Sequence, residues 1–235
     1  AEAGPDGKHV FVNLVRKPIS LQDQSAKSSV QSVTDGKVTR NIGVIALPSF
    51  YEDFAAKQKG TPDYKSTTRD VALLIKELKA KKVDAILMDL RNNGGGSLSE
   101  AVELTGLFIG KGPVVQVRNA SGQVRVESSR QADVAWDGPL GVLVNRNSAS
   151  ASEIFAAAMQ DYGRGLIVGE PSFGKGTVQT MINLDRIAKS EKPQLGELKL
   201  TIAQFFRING GTTQLRGVTP DVTFPAVLDT SDYGE

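Results

Sequence analysis

The chain has no cysteine and a single histidine, His9, so the usual serine–histidine and cysteine–histidine pairings have almost nothing to be built from. The same absence excludes a thiolate zinc site, and without a second histidine only carboxylates remain to ligate any other metal. No cofactor and no metal is expected. Long apolar runs are also missing: none approaches the roughly 18 residues a helical membrane span needs. Charge of one sign is absent as well, since 28 basic residues against 26 acidic ones leave only +2. Because the basic residues are scattered, neither nucleic acid nor a charged membrane surface is an expected partner.

What is present suits a packed α/β protein. At 235 residues and 40% hydrophobic composition, the chain can bury a sizeable core without disulfides. Residues 8 to 15 read as a strand. Its start without methionine, in a Gly/Pro-rich turn, leads to the expectation of a fragment or processed product of something larger. Residues 21 to 41 are polar with turn chemistry at Asp35-Gly36, and Ile42 to Leu47 reads as a buried strand. Thr67 to Lys81 has the spacing of an amphipathic helix. Two similar units follow, each a short apolar strand, a small-residue turn, a helix and another strand. The first runs from Ala85–Leu90 through the turn at 92–97 to a helix at Leu98–Ile109 and a strand at Val114–Val117. The second runs from Leu140–Val144 through a serine-rich turn to a helix at Ala151–Tyr162 and a strand at Leu166–Val168. This alternation predicts a largely parallel sheet with both turns at strand carboxyl ends, where open α/β sheets place their sites. Antiparallel excursions are expected at Val114–Ser129, around Ser121-Gly122, and at Leu198–Phe206.

The turn Asn147-Ser148-Ala149-Ser150-Ala151-Ser152-Glu153 and the downstream run Gly174-Lys175-Gly176-Thr177-Val178-Gln179 supply a nucleophile and a base without histidine. Ser150 with Glu153 could simply form a capping box, yet a serine there sits beside free backbone N–H groups and the positive helix end. Ser148 and Ser152 compete with it, and spacing alone does not rank the three. Extended backbone from Lys175 would project Lys175, Thr177 and Gln179 to one face, so that Gln179 could hold the lysine amine. For Lys175 to act as a base near neutrality its pKa must fall from about 10.4 by roughly three pH units, about 4 kcal/mol of destabilised ammonium. A carboxylate partner would prevent that, so neither Asp161 nor Glu170 is expected to pair with it. Gly94-Gly95-Gly96, before a helix with Ser97 and Glu100 as capping residues, reads as an anion-binding turn. Together with the Ala151 N–H it would form an oxyanion hole, each donor contributing about 3 kcal/mol to catalysis. Gly169 to Lys175 matches most of a phosphate-binding loop, but Gly176 stands where Ser or Thr should follow, and the next segment reads as a strand.

With these motifs in order, the chain resembles the carboxyl-terminal processing peptidases over most of its length. The likeness includes Asp89-Leu90-Arg91, Ser150 to Glu153, Asp161 to Arg164, Phe173 to Gln179 and Gly217 to Asp221. It implies Ser150 as nucleophile, Lys175 as general base and Gln179 as the residue that orients the lysine. The oxyanion donors become Gly95 or Gly96 together with Ala151, and the core becomes crotonase- and Clp-like. The resemblance further implies that residues 1–17 end a PDZ-like domain and that 18–235 form the serine-lysine core. Implied partners are protein substrates with nonpolar C-terminal tails, with room for an adaptor and oligomeric assembly, in the periplasm. The competing reading is a peptide-binding scaffold without catalysis.

Overall fold

A computed structural model describes Val15, residues 24–189 and residues 195–225. The strand expected at 8–15 and the boundary at residue 17 lie outside the described residues, Val15 apart. The polar stretch expected only to turn at Asp35-Gly36 is a full antiparallel hairpin, β1 (Lys27–Asp35) and β2 (Val38–Ala46), turning at Gly36 with φ 60°. Its outer half is exposed, which is why the composition there carries no apolar signal.

After the short α1 (Phe54–Gln58), α2 (Thr67–Ala80) starts where the Ser66 hydroxyl accepts from Arg69 N–H at 3.4 Å. It buries Val71, Ile75 and Leu78. Leu78 packs so closely on β2 that a Cβ added to Gly43 would lie 2.9 Å from its Cδ1, so glycine is what lets helix and sheet approach. Next come β3 (Ala85–Asp89) and α3 (Leu98–Ile109), then the hairpin β4 (Gly112–Asn119) and β5 (Val124–Ser129). β6 (Leu140–Val144), α4 (Ala151–Asp161) and β7 (Leu166–Gly169) form a parallel βαβ unit. β8 (Thr177–Asn183), α5 (Leu184–Ala188), β9 (Glu197–Phe206) and the short β10 (Val222–Thr223) complete the described chain.

The strands sort into two sheets. Six strands run in the order β1-β2-β3-β6-β7-β10, all parallel from β2 onward, and four run antiparallel in the order β5-β4-β9-β8. The strand at Val114–Val117 therefore does not close a βαβ unit beside β3. It belongs to β4 in the second sheet, and the strand that returns beside β3 is β6. Ile86 and Met88, Leu140, Val142 and Val144, and Ile167 put alternate residues of the parallel strands into the core. α3 and α4 are apolar nearly all round because they are enclosed, and Phe108 meets Phe155 edge-on at 5.6 Å between ring centres. Each buried phenyl is worth roughly 2–3 kcal/mol, and the edge contact adds about 1 kcal/mol. This wedge of helices holds the carboxyl ends of β3 and β6, and hence the two small-residue turns, side by side.

Candidate active site

Ser150 is the N-cap of α4 and stands at φ 57°, ψ −111°, a backbone state that a non-glycine residue adopts only where its surroundings impose it. The Ser150 N–H donates to Glu153 Oε2 at 2.8 Å, the carboxylate arm of the expected capping box. The Glu153 N–H donates to the Ser150 carbonyl oxygen at 2.9 Å, and its approach to the Ser150 side chain completes the box. Ser150 also lines a cavity of about 820 Å³, together with Lys175 and Gln179.

The structure separates the three serines. Ser148 is fully buried and donates to Leu90 O at 2.8 Å while accepting from Asn145 N–H at 3.0 Å. Ser152 is equally buried and donates to Asn93 O at 2.8 Å. Both hydroxyls are taken up by backbone partners, and of the three serines only Ser150 lines the cavity. Asn93 joins the two turns: its carbonyl also accepts from Ala149 N–H at 3.0 Å, its Nδ2 donates to Leu47 O at 2.8 Å, and its Oδ1 accepts from Gly95 N–H at 2.9 Å.

That last bond divides the expected oxyanion donors. The Gly95 amide is committed to Asn93. Phe50 N–H donates to Gly95 O at 2.9 Å and Ser97 N–H to Phe50 O at 2.8 Å, so alternation turns the Gly96 N–H away from Phe50. Among the described residues neither Gly96 N–H nor Ala151 N–H has a hydrogen-bond partner. Glycine is required at both turn positions. Gly95 (φ 100°) presses on Ser150 and Ala151, with an added Cβ 2.8 Å from Ser150 Cβ, and at Gly96 (φ 144°) a Cβ would lie 2.2 Å from Phe50 O.

Lys175 Nζ donates to Gln179 Oε1 at 3.3 Å, and Gln179 Nε2 donates on to Thr201 Oγ1 at 3.4 Å. Lys175 and Gln179 therefore meet, as strand alternation leads one to expect of these two. No hydrogen bond joins Lys175 to Ser150, and among the described residues no carboxylate lies within 4.0 Å of the lysine amine. Asp161 is instead gripped by Arg207 at 2.6 and 3.1 Å and by Asn209 at 2.9 Å, tying the end of α4 to the end of β9.

Sequence reasoning missed the second role of Glu153. Fully buried, its carboxylate accepts from Ser172 Oγ at 2.6 Å and Gly174 N–H at 2.7 Å on one oxygen, and from Ser150 and Lys175 N–H at 2.8 and 3.0 Å on the other. Burial pushes the carboxyl above its ordinary range, and the hydrogen bonds pull it part of the way back. One side chain thus fixes both the serine turn and the lysine loop. The rejected phosphate-loop reading gains nothing here, because the Gly174 and Lys175 amides are filled by this carboxylate and strand β8 follows. Similarly, Ser97 caps α3, accepting from Glu100 N–H at 3.3 Å, but the Glu100 carboxylate reaches Thr68 N–H and Oγ1 at 2.7 Å instead of closing a box. Among the described residues no cluster of His, Cys, Asp or Glu could hold a metal ion.

The model of peptidase family S41 matches residues 41–224. The chain belongs to that family. It is 46% identical over its full length to a tail-specific protease of Haemophilus influenzae, of which it covers 31%. Over 93% of its length it is 33% identical to a carboxy-terminal-processing protease of Bartonella bacilliformis, of which it covers 48%. Among solved S41 structures, the photosystem II D1 C-terminal processing protease superposes with a TM-score of 0.65 over 85% of this chain and 48% of its own, at 29% identity. The chain thus spans 31% to 48% of the length of these relatives.

Proposed function

We propose that this chain is the serine-lysine core of an endopeptidase that cleaves protein substrates near nonpolar C-terminal tails through an acyl-enzyme on Ser150. The reading is carried by one observation: of three neighbouring serines, Ser148 and Ser152 are fully buried and donate to backbone carbonyls, whereas Ser150 lines the cavity that holds Lys175. In the first half-reaction Lys175 Nζ takes the Ser150 hydroxyl proton as Oγ bonds to the scissile carbonyl carbon. The negative charge on the former carbonyl oxygen meets the unpaired Gly96 and Ala151 N–H groups. The C–N bond then breaks with the lysine proton passing to the leaving amine. Water, deprotonated by the same lysine, releases the acyl group and restores the hydroxyl. Gln179 holds the lysine when it is not on the serine. Phe50, Phe54, Leu98, Ile154 and Phe205 line the same cavity and suit apolar substrate side chains. Family resemblance supports a periplasmic location and leaves adaptor binding and assembly as properties of the longer protein.

The test is labelling by a serine-reactive phosphonate. Wild type should form a stoichiometric adduct mapped by mass spectrometry to Ser150, and both Ser150→Ala and Lys175→Ala should lose it. A wild-type chain that stays unlabelled while binding peptide would establish the scaffold reading instead.

A further inference from the structure

All six main-chain N–H and C=O groups of Gly174, Lys175 and Gly176 are hydrogen-bonded. Glu153 takes the N–H groups of Gly174 and Lys175, and Phe205 N–H on β9 donates to Gly176 O at 2.9 Å. The other three are met by one short segment of the connection between β9 and β10. Leu215 N–H donates to Gly174 O at 2.7 Å, Thr213 Oγ1 donates to Lys175 O at 3.5 Å, and Gln214 Oε1 accepts from Gly176 N–H at 2.7 Å. The same segment accounts for both glycines that flank Lys175. A Cβ at Gly176 would lie 2.9 Å from Gln214 N and Cβ, and one at Gly174 (φ 100°) would lie 3.2 Å from Leu215 Cα. Leu215 itself stands at φ 61°, a left-handed state that leucine adopts only under constraint. Its side chain is largely exposed, so packing of that side chain is not what imposes the conformation.

We infer that Gln214 is a positioning residue for the lysine base, fixing the peptide plane between Lys175 and Gly176. This rests on the peptidase reading and deepens it. The carbonyl edge and the N–H edge of that one plane are gripped by consecutive side chains, Thr213 and Gln214. Because a peptide unit is rigid, the plane after Lys175 sets ψ of the lysine. Glu153 already holds the N–H on the other side, so the two planes together set the direction in which Cβ leaves the backbone. The long flexible stem of a lysine amplifies any error made at that point. A misplacement of about 1 Å at a catalytic group can cost on the order of 100-fold in rate. Of the two grips on the plane, that of Gln214 is the shorter and therefore the stronger. Gln179 steadies the amine at the far end of the side chain, and Gln214 steadies its root.

The test compares Gln214→Met, which keeps the length of the side chain and deletes the acceptor, with Gln214→Glu, which keeps an acceptor at the same reach. Phosphonate labelling of Ser150 and hydrolysis of a fluorogenic peptide are measured well below the thermal transition of each variant. Gln214→Met should lower the labelling rate and kcat about 10- to 100-fold while KM stays within about twofold of wild type, and Gln214→Glu should bring both rates back to within about fivefold. Thr213→Val removes the longer grip at nearly constant shape and should lower the same rates about 2- to 5-fold. Equal labelling of wild type and Gln214→Met would overturn the positioning role and leave the peptidase reading standing. So would a lowered Tm with undiminished labelling, which is what a purely structural glutamine gives, or an equal loss in the Met and Glu variants, which would show that the acceptor is not what matters. Should Gln214→Met fail to fold, Thr213→Val carries the test, and labelling of that variant at the wild-type rate overturns the proposal. A wild-type chain that binds peptide but stays unlabelled overturns the peptidase reading and the role of Gln214 together.

Discussion

Replacing Glu153 with glutamine tests how the site is held together. Four donors converge on this buried carboxylate, at 2.6 to 3.0 Å. An amide has one oxygen and one NH2 group, so half of that acceptor surface becomes a donor. If the NH2 takes the place of Oε2, the Ser150 and Lys175 amides are both orphaned. If it takes the place of Oε1, the Ser172 hydroxyl can rotate to accept, but the Gly174 N–H still loses its partner. Either arrangement leaves two buried donors without acceptors, the second one orphaning the Gly174 N–H and the Ser172 O–H, and the surviving bonds weaken without the charge, so a net loss of about 2–4 kcal/mol is expected. For a chain of this size each kcal/mol lowers Tm by roughly 2–4 °C, which places the expected fall near 10 °C. Calorimetry reads that shift. Phosphonate labelling well below the transition reads the second consequence, a rate at least tenfold lower because the serine turn and lysine loop are no longer tied to one anchor. A variant that melts within about 2 °C of wild type and labels at the same rate would refute the anchoring role.

Ser152→Ala should cost about 1 kcal/mol by deleting the bond to Asn93 O and should keep full labelling, whereas Ser150→Ala abolishes labelling with little change in Tm. Denaturant melts and mass spectrometry separate the two. Asp161→Ala strands Arg207 in a largely buried position and should destabilise by about 3 kcal/mol, read as a shifted urea midpoint; an unchanged midpoint would show that the grip between α4 and β9 carries no stability. Burial also holds the Glu100 carboxyl above its ordinary range, and the bonds from Thr68 pull it only part of the way back. The folded state therefore keeps that proton where the unfolded chain has released it. The stabilisation is complete below the ordinary carboxylate value and is lost as pH rises through the raised one. Glu100→Gln should flatten the fall in stability across that window, and identical pH profiles would refute the assignment.

Local rules made much of this molecule legible. The helices at 67–80, 98–109 and 151–161 carry caps and apolar spacing in sequence, and the parallel strands are short apolar runs bounded by small residues. The hairpin β1–β2 escaped because exposed strands on a mostly solvated ladder need no apolar residues. β4 was assigned to the wrong neighbour because no local signal says which sheet a strand joins after a helix. Within the site, the serine turn, lysine loop and glycine turn were visible as motifs. The choice among Ser148, Ser150 and Ser152 depends on partners more than fifty positions away, and the commitment of Gly95 to Asn93, though only two residues apart, depends on a turn geometry that the residue types alone do not specify. The convergence on Glu153 likewise spans a second segment, about twenty residues on, which capping rules do not anticipate.

The left-handed backbone at Ser150 restricts which alcohol can occupy the position. Threonine would preserve the hydroxyl, but its second branch at Cβ penalises positive φ, and that carbon lies so near Gly95 that not even one methyl group would fit on the glycine. Cysteine has the same shape as serine and meets neither obstacle. Laboratory evolution for a substitute nucleophile should therefore return a thiol and pass over the nearer-seeming alcohol, the choice being made by torsion and elbow room before reactivity is consulted.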